Sequence, residues 1–214
     1  MRKCQSSRAL VQPGEGFLSG ILWLEKGDER IKTDQRTMAT DTSQKGVMRT
    51  ATLADLDELV KLEEVCFAVP WSRKSFEAEL HGNQFSQILA VPGSMGPSGM
   101  SLHAYICVWV IFEEIRFLNL AVHPQFRRQG LAKMLILEAL RIASNQGCCR
   151  GMLEVRHSNL PARKLYESFN FKEYATRNSY YTNPTEDAIL MMLEPLSKPV
   201  SDQTELEKSG SEEA

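Results

Sequence analysis

The chain predicts an α/β domain built on a mixed, largely antiparallel sheet flanked by helices. Three stretches carry that expectation. Ala104–Phe112 (AYICVWVIF) is a nearly unbroken apolar run rich in β-branched and aromatic residues, as a central strand buried on both faces requires. Phe117–Val155 holds an apolar strand ending at Val122, a short loop, a helix opening at Gly130 and a further strand at Met152–Val155, which together make a βαβ unit. Phe171–Arg177 and Ala188–Leu193 then read as two closing strands.

In chain order, residues 1–46 are mixed and polar, ending in TDQRTMATDTSQKG, and are expected to form a flexible extension with one short helix near Phe17–Leu24. The folded domain is expected over 47–196 and opens with a strand at Val47–Ala51. Thr52 is a good helix N-cap, Asp55 favours the first turn, and Leu53, Leu56, Val60 and Phe67 keep helical spacing to about Phe67. Pro70 breaks that helix, and Ser72 caps a second one with Phe76 and Leu80 on one side. A strand at Phe85–Val91 precedes the Gly/Pro/Ser connection PGSMGPSGMS. The helix after Gly130 carries Leu131, Met134, Leu135 and Ile142 on one face, and Asn145-Gln146-Gly147 ends it with a glycine cap. Pro161–Ser168 is a short helix. The tail, 197–214, is acidic, low in apolar residues and expected to be disordered.

Composition sets bounds. A chain of 214 residues with 43% hydrophobic content can bury one ample core. A net charge of −2 supplies no basic field for non-specific nucleic-acid binding, so no direct nucleic-acid partner is expected. The five cysteines have no CxxC spacing and the four histidines form no ligand set; no metal is expected, and a reducing cytoplasm fits. No run approaches the roughly eighteen apolar residues that a membrane span needs.

The stretch with chemistry in it is Arg127-Arg128-Gln129-Gly130-Leu131-Ala132, followed by Lys133. It places two guanidiniums, a glycine and a small residue where a helix begins, and the unpartnered N–H groups there favour an anion. It lacks the spacing of the P-loop and of the dinucleotide fingerprint. Two readings stand: an ordinary strand-loop-helix with surface arginines, or a phosphate-binding turn of a third kind.

Arg127, Gly130 and Ala132 fit Arg/Gln-x-x-Gly-x-Gly/Ala, and downstream lies LEVRHSNLPARKLYESFNF, Leu153–Phe171. With AVPWS (Ala68–Ser72) and YY…EDAILM (Tyr180–Met191), these motifs resemble the GCN5-related N-acetyltransferases (GNAT), and within them the bacterial ribosomal-protein-alanine N-acetyltransferases. The resemblance covers roughly 47–196 and implies a GNAT-type twisted sheet, acetyl-CoA as co-substrate, and Nα-acetylation of a protein N-terminus, the alanine of a small-subunit ribosomal protein. An acetyltransferase for lysine or small amines, and a non-catalytic acyl-CoA-binding module, are the alternatives. Asn170 stands where the family has Gly before Phe171, and residues 1–46 have no counterpart.

By that resemblance, residues 128–133 would face the pyrophosphate. The pantetheine arm would lie along Leu120-Ala121-Val122, with the Val122 N–H donating to the thioester oxygen, and such a donor is worth about 10²–10³ in rate. Asn159 would reach the cofactor, or cap the helix beginning at Leu160. Glu154 lies between Leu153 and Val155, so alternation sends it to the other face, either as a solvated residue or as the general base. An α-amine is about 3.3 kcal/mol easier to deprotonate than a lysine, which favours the N-terminal substrate. Tyr166 would be the acid for the departing thiolate, or a packing residue beside Leu165 and Phe169. Trp71, Tyr180 and Tyr181 would line the peptide groove, or pack. Arg156 is expected to pair with a carboxylate; it and His157 receive no role.

Overall fold

The computed structural model describes residues 47–94 and 100–196. The expectations for residues 1–46, for the tail 197–214 and for the middle of the 92–101 connection lie outside the described residues.

Seven strands form one sheet: β1 (Arg49–Thr50), β2 (Ser86–Pro92), β3 (Leu102–Ile111), β4 (Glu114–Val122), β5 (Arg150–Arg156), β6 (Lys172–Thr182) and β7 (Thr185–Leu193). Their spatial order is β1-β2-β3-β4-β5-β7-β6. The β4–β5 pair is parallel and its neighbours are antiparallel, so the sheet is mixed and largely antiparallel as the sequence predicts. β7 returns between β5 and β6, an insertion that local pattern alone does not reveal.

Helices α1 (Leu56–Cys66) and α2 (Arg73–His81) cover one face; α3 (Leu131–Asn145) and α4 (Leu160–Glu167) cover the other. Alternation along β3 divides the core accordingly. Ala104, Ile106 and Val108 join Leu135, Ile136, Ala139 and Val155 beneath α3, while Tyr105 and Cys107 join Leu59, Leu62 and Phe76 beneath α1 and α2. β3 is thus buried on both faces, which explains its continuous apolar sequence.

The caps follow local chemistry. Thr52 and Asp55 form a reciprocal capping box, but the first turn, Leu53–Asp55, is 3₁₀, and the α-helix starts at Leu56. The Ser72 hydroxyl accepts from the Ser75 N–H at the start of α2. Beyond α3, Gly147 takes φ of 88° and the Cys148 N–H bonds back to the Ala143 carbonyl, closing the helix. Asn170 has φ of 66°, the left-handed turn that Asn tolerates where Gly is usual.

One irregularity shapes the site. β4 and β5 pair only from Glu114–Arg150 to Phe117–Leu153. In the β3–β4 ladder Cys107 pairs with Asn119 and Val108 with Phe117, so Leu118 is an extra residue on β4. Such a bulge sharpens the strand's twist. Past it, β4 continues to Val122 away from β5, and the two parallel strands part like a fork.

Candidate active site

The fork opens toward the C-terminal ends of β4 and β5. Its β4 side consists of Leu118–Val122. The His123 N–H donates to the His103 carbonyl, which sets the phase of the antiparallel ladder. By that phase Ala121 bonds toward β3, whereas the N–H groups of Leu120 and Val122 turn toward the side that β5 has left. The Val122 carbonyl on this side accepts from Arg127 Nε at 3.1 Å and from the Cys66 thiol at 3.5 Å. Arg127 therefore folds back over the strand end.

At the mouth of the fork the chain turns through a 3₁₀ segment, Pro124–Phe126, into α3. Arg128 and Gly130 both adopt left-handed backbone, with φ of 64° and 84°. No side chain caps α3, and a Cβ built on Gly130 would meet nothing within 4 Å. Arg128, Gln129, Gly130 and Lys133 are exposed, and Leu131 and Ala132 half-buried. The first N–H groups of α3 are thus bare and open to an anion, with the positive end of the helix dipole behind them. This arrangement fits the diphosphate of a coenzyme A thioester.

α4 begins at the same end of the fork. Asn159 is buried and its Oδ1 accepts from the Ala162 N–H at 3.2 Å, so it caps the helix. Tyr166, the penultimate residue of α4, is fully buried; its ring meets Phe117 and Phe171 edge-on at centroid distances of 6.2 and 5.7 Å. Tyr166 is thus a packed residue, with ring contacts to Phe117 and Phe171; the Leu165 and Phe169 expected beside it pack at the edge of the same core. Its hydroxyl, however, has no hydrogen-bond partner, and burial pushes the phenol well above its ordinary value.

Glu154 is the first β5 residue past the last β4–β5 pair, on the face opposite Leu153 and Val155. Glu154 and Tyr166 approach from opposite faces of the sheet, yet both adjoin the point where the strands part. A group lying in the plane of the fork is open to both. Glu154 Oε1 lies 2.7 Å from Arg177 Nη1, a partner the sequence reading did not identify.

The remaining candidates share Glu154's face. Tyr180 and Tyr181 lie just before the end of β6, with Arg177 over the Tyr180 ring at 5.4 Å and Arg156 over the Tyr181 ring at 4.0 Å. Arg156 pairs with Glu186 at 3.2 Å, the carboxylate partner expected, and donates to the Asn183 and Pro184 carbonyls, which fixes the β6–β7 hairpin. The Tyr181 hydroxyl is buried without a partner. Trp71 packs partly against the α1–α2 core, 5.5 Å from Phe76, and its backbone N–H donates to Glu63 Oε1 at 3.0 Å. Glu63 was also absent from the sequence reading; its position four residues after Leu59, on the apolar stripe of α1, was the available signal. Among the described residues no group of three His, Cys, Asp or Glu could hold a metal ion, and no helix is long and apolar enough to cross a membrane.

Comparison with known proteins bears on the family and the fold. The family model described as Acetyltransferase (GNAT) family matches residues 56–171. The [ribosomal protein bS18]-alanine N-acetyltransferase of Escherichia coli (strain K12) is 34% identical over 145 residues, covering 67% of this chain and 93% of that protein. The crystal structure of the ribosomal-protein-S18-alanine N-acetyltransferase from Escherichia coli superposes with a TM-score of 0.63 at 29% identity, covering 75% of this chain and 99% of the other. The Arabidopsis thaliana NAA60 structure in complex with acetyl-CoA shares the fold, with a TM-score of 0.62 at 20% identity and coverage of 69% and 97%. The chain belongs to the GNAT family of acetyltransferases: it is an N-acetyltransferase whose co-substrate is acetyl-CoA.

Proposed function

We propose that this enzyme acetylates the α-amine of a protein N-terminus in the cytoplasm, namely the N-terminal alanine of a small-subunit ribosomal protein. The names of relatives at 34% identity support that substrate. The observation that carries the reading is the fork, which leaves the Val122 N–H and the Glu154 carboxylate beside one opening.

Acetyl-CoA, when bound, supplies a thioester whose carbonyl carbon is open to attack. The N–H groups of 128–133, with Arg128, would hold its diphosphate, and Leu120–Val122 would offer the pantetheine arm the strand edge that β5 has left. Val122 would donate to the carbonyl oxygen as charge develops there. Asn159, which caps α4, stands at the same end. From the α1–α2 face, Glu154 takes a proton from the amine, directly or through a water; from the opposite face, the Tyr166 phenol gives one to the leaving thiolate. Trp71, Tyr180 and Tyr181 would form the walls that hold the peptide.

The test is acetyl transfer to an Ala-initiated peptide carrying an internal lysine, read by mass spectrometry. Acetate is expected on the α-amine, with Glu154→Gln lowering kcat about 10²–10⁴-fold and acetyl-CoA affinity unchanged. Acetate on lysine alone would overturn the substrate, and full turnover by the variant would overturn the role of Glu154.

A further inference from the structure

Glu63 is fully buried and takes no part in the chemistry above. Its carboxylate draws together three elements. Oε1 accepts from the Trp71 backbone N–H at 3.0 Å and from Asn119 Nδ2 at 2.9 Å, and Oε2 accepts from the Tyr105 hydroxyl. Because a carboxylate only accepts, the Asn119 amide is oriented with its nitrogen toward Glu63. Asn119 Oδ1 is buried with no partner, so the bond to Glu63 alone fixes that side chain. Asn119 follows the Leu118 bulge at which β4 turns away from β5. Trp71 ends the loop between α1 and α2.

We propose that Glu63 is a positioning residue for peptide capture: by holding the Trp71 N–H and the Asn119 amide together, its carboxylate fixes the α1–α2 loop against the part of β4 that borders the fork. The inference rests on the reading of Trp71 as a wall of the peptide groove. Charge-assisted hydrogen bonds are roughly twice as strong as neutral ones, so the grip loosens when the carboxylate is neutral. Burial pushes Glu63 up to about 7, against the pull of its three hydrogen bonds. The titratable groups facing it are the Tyr105 phenol, the Cys107 thiol and the Cys66 thiol. Burial raises all three, Cys66 to about 11, so they stay neutral where Glu63 titrates. Arg127 lies beyond Cys66 and holds the Cys66 thiol down slightly against its burial.

Glu63→Gln keeps the shape and removes the charge. The peptide KM, kcat and acetyl-CoA Kd of variant and wild type are measured from pH 6 to pH 8.5. The ratio of variant to wild-type KM cancels the titration of the peptide amine and of every group that both proteins share. That ratio is expected to reach about fivefold at pH 8 and to fall toward one at pH 6, with acetyl-CoA Kd and kcat within about twofold of wild type. Tyr105→Phe, which removes one donor and keeps the ring, should move the midpoint of this dependence to higher pH. A ratio of one at every pH, a ratio that does not vary with pH, or an unmoved midpoint in Tyr105→Phe overturns the proposal. Wild-type protein that acetylates no peptide overturns it together with the proposed function, whereas an active wild type with an unchanged variant overturns it alone.

Discussion

Arg177 Nη1 stands 2.7 Å from Glu154 Oε1, and the same guanidinium lies over the ring of Tyr180. A long cation on β6 thus steadies the proposed base on β5 across the intervening β7. The pair is partly exposed, with 43% and 20% of the two side chains accessible, so water screens it. Its contribution to stability should be below about 1 kcal/mol. Arg177→Ala is accordingly expected to unfold at nearly the wild-type denaturant concentration. Its kcat/KM for peptide should fall about tenfold, because Glu154 is then less well placed. Unchanged turnover would show that Arg177 orients nothing.

Tyr166→Phe should separate stability from activity by sign. The hydroxyl is buried and unpartnered, so deleting it removes a desolvated group that gives nothing back to the fold. The variant is expected to be as stable as wild type or more stable, by up to about 1 kcal/mol in chemical denaturation. Turnover should nonetheless drop, because no proton donor remains for the thiolate. Burial raises the phenol above its ordinary value, so it stays protonated across neutral pH. Loss of wild-type activity on the alkaline side below pH 10 therefore has another origin. A destabilised but fully active variant would assign Tyr166 to packing alone.

Gly130 tests the turn. At φ of 84° a side chain is strained even though a Cβ there meets nothing within 4 Å. Gly130→Ala should cost roughly 1–2 kcal/mol of stability from backbone strain alone. It should also weaken acetyl-CoA binding, measured by calorimetry, because the methyl group occupies the approach to the first N–H groups of α3. Gly147→Ala, at φ of 88° and at the far end of α3, is the control: similar strain and unchanged affinity.

Local pattern revealed the sheet class, the βαβ unit and the side on which Glu154 emerges, because each depends on hydrophobic runs a few residues long. The fork did not show. It depends on the extra residue Leu118 in the ladder with β3 and on β7 entering beside β5, both of which are long-range pairings. Arg177 was hidden for the same reason, being brought to Glu154 by register rather than by spacing. Glu63 left a trace, a carboxylate on the apolar stripe of α1, but helical periodicity says nothing about which donors from β3, β4 and the Trp71 loop converge on it.

The same carboxylate gives a pH dependence of stability with a definite sign. Folding raises Glu63 from the ordinary 4.5 to about 7, so the folded protein holds this proton more tightly than the unfolded chain does. Its contribution is fully present below about pH 4.5 and is lost as the pH rises through about 7. At pH 8 the ionised form costs on the order of 3 kcal/mol relative to the neutral form, an upper figure because three donors relax around it. Glutamine cannot ionise, and it can accept from Trp71 and Asn119 while donating to the Tyr105 oxygen. The stability difference between Glu63→Gln and wild type should therefore move in favour of the variant from pH 5 to pH 8. Groups common to both proteins cancel in that difference, which urea unfolding at each pH measures. A difference that stays level across the range would mean that Glu63 titrates as it does in water, and that the network of Trp71, Tyr105 and Asn119 holds a carboxylate at no cost to the fold.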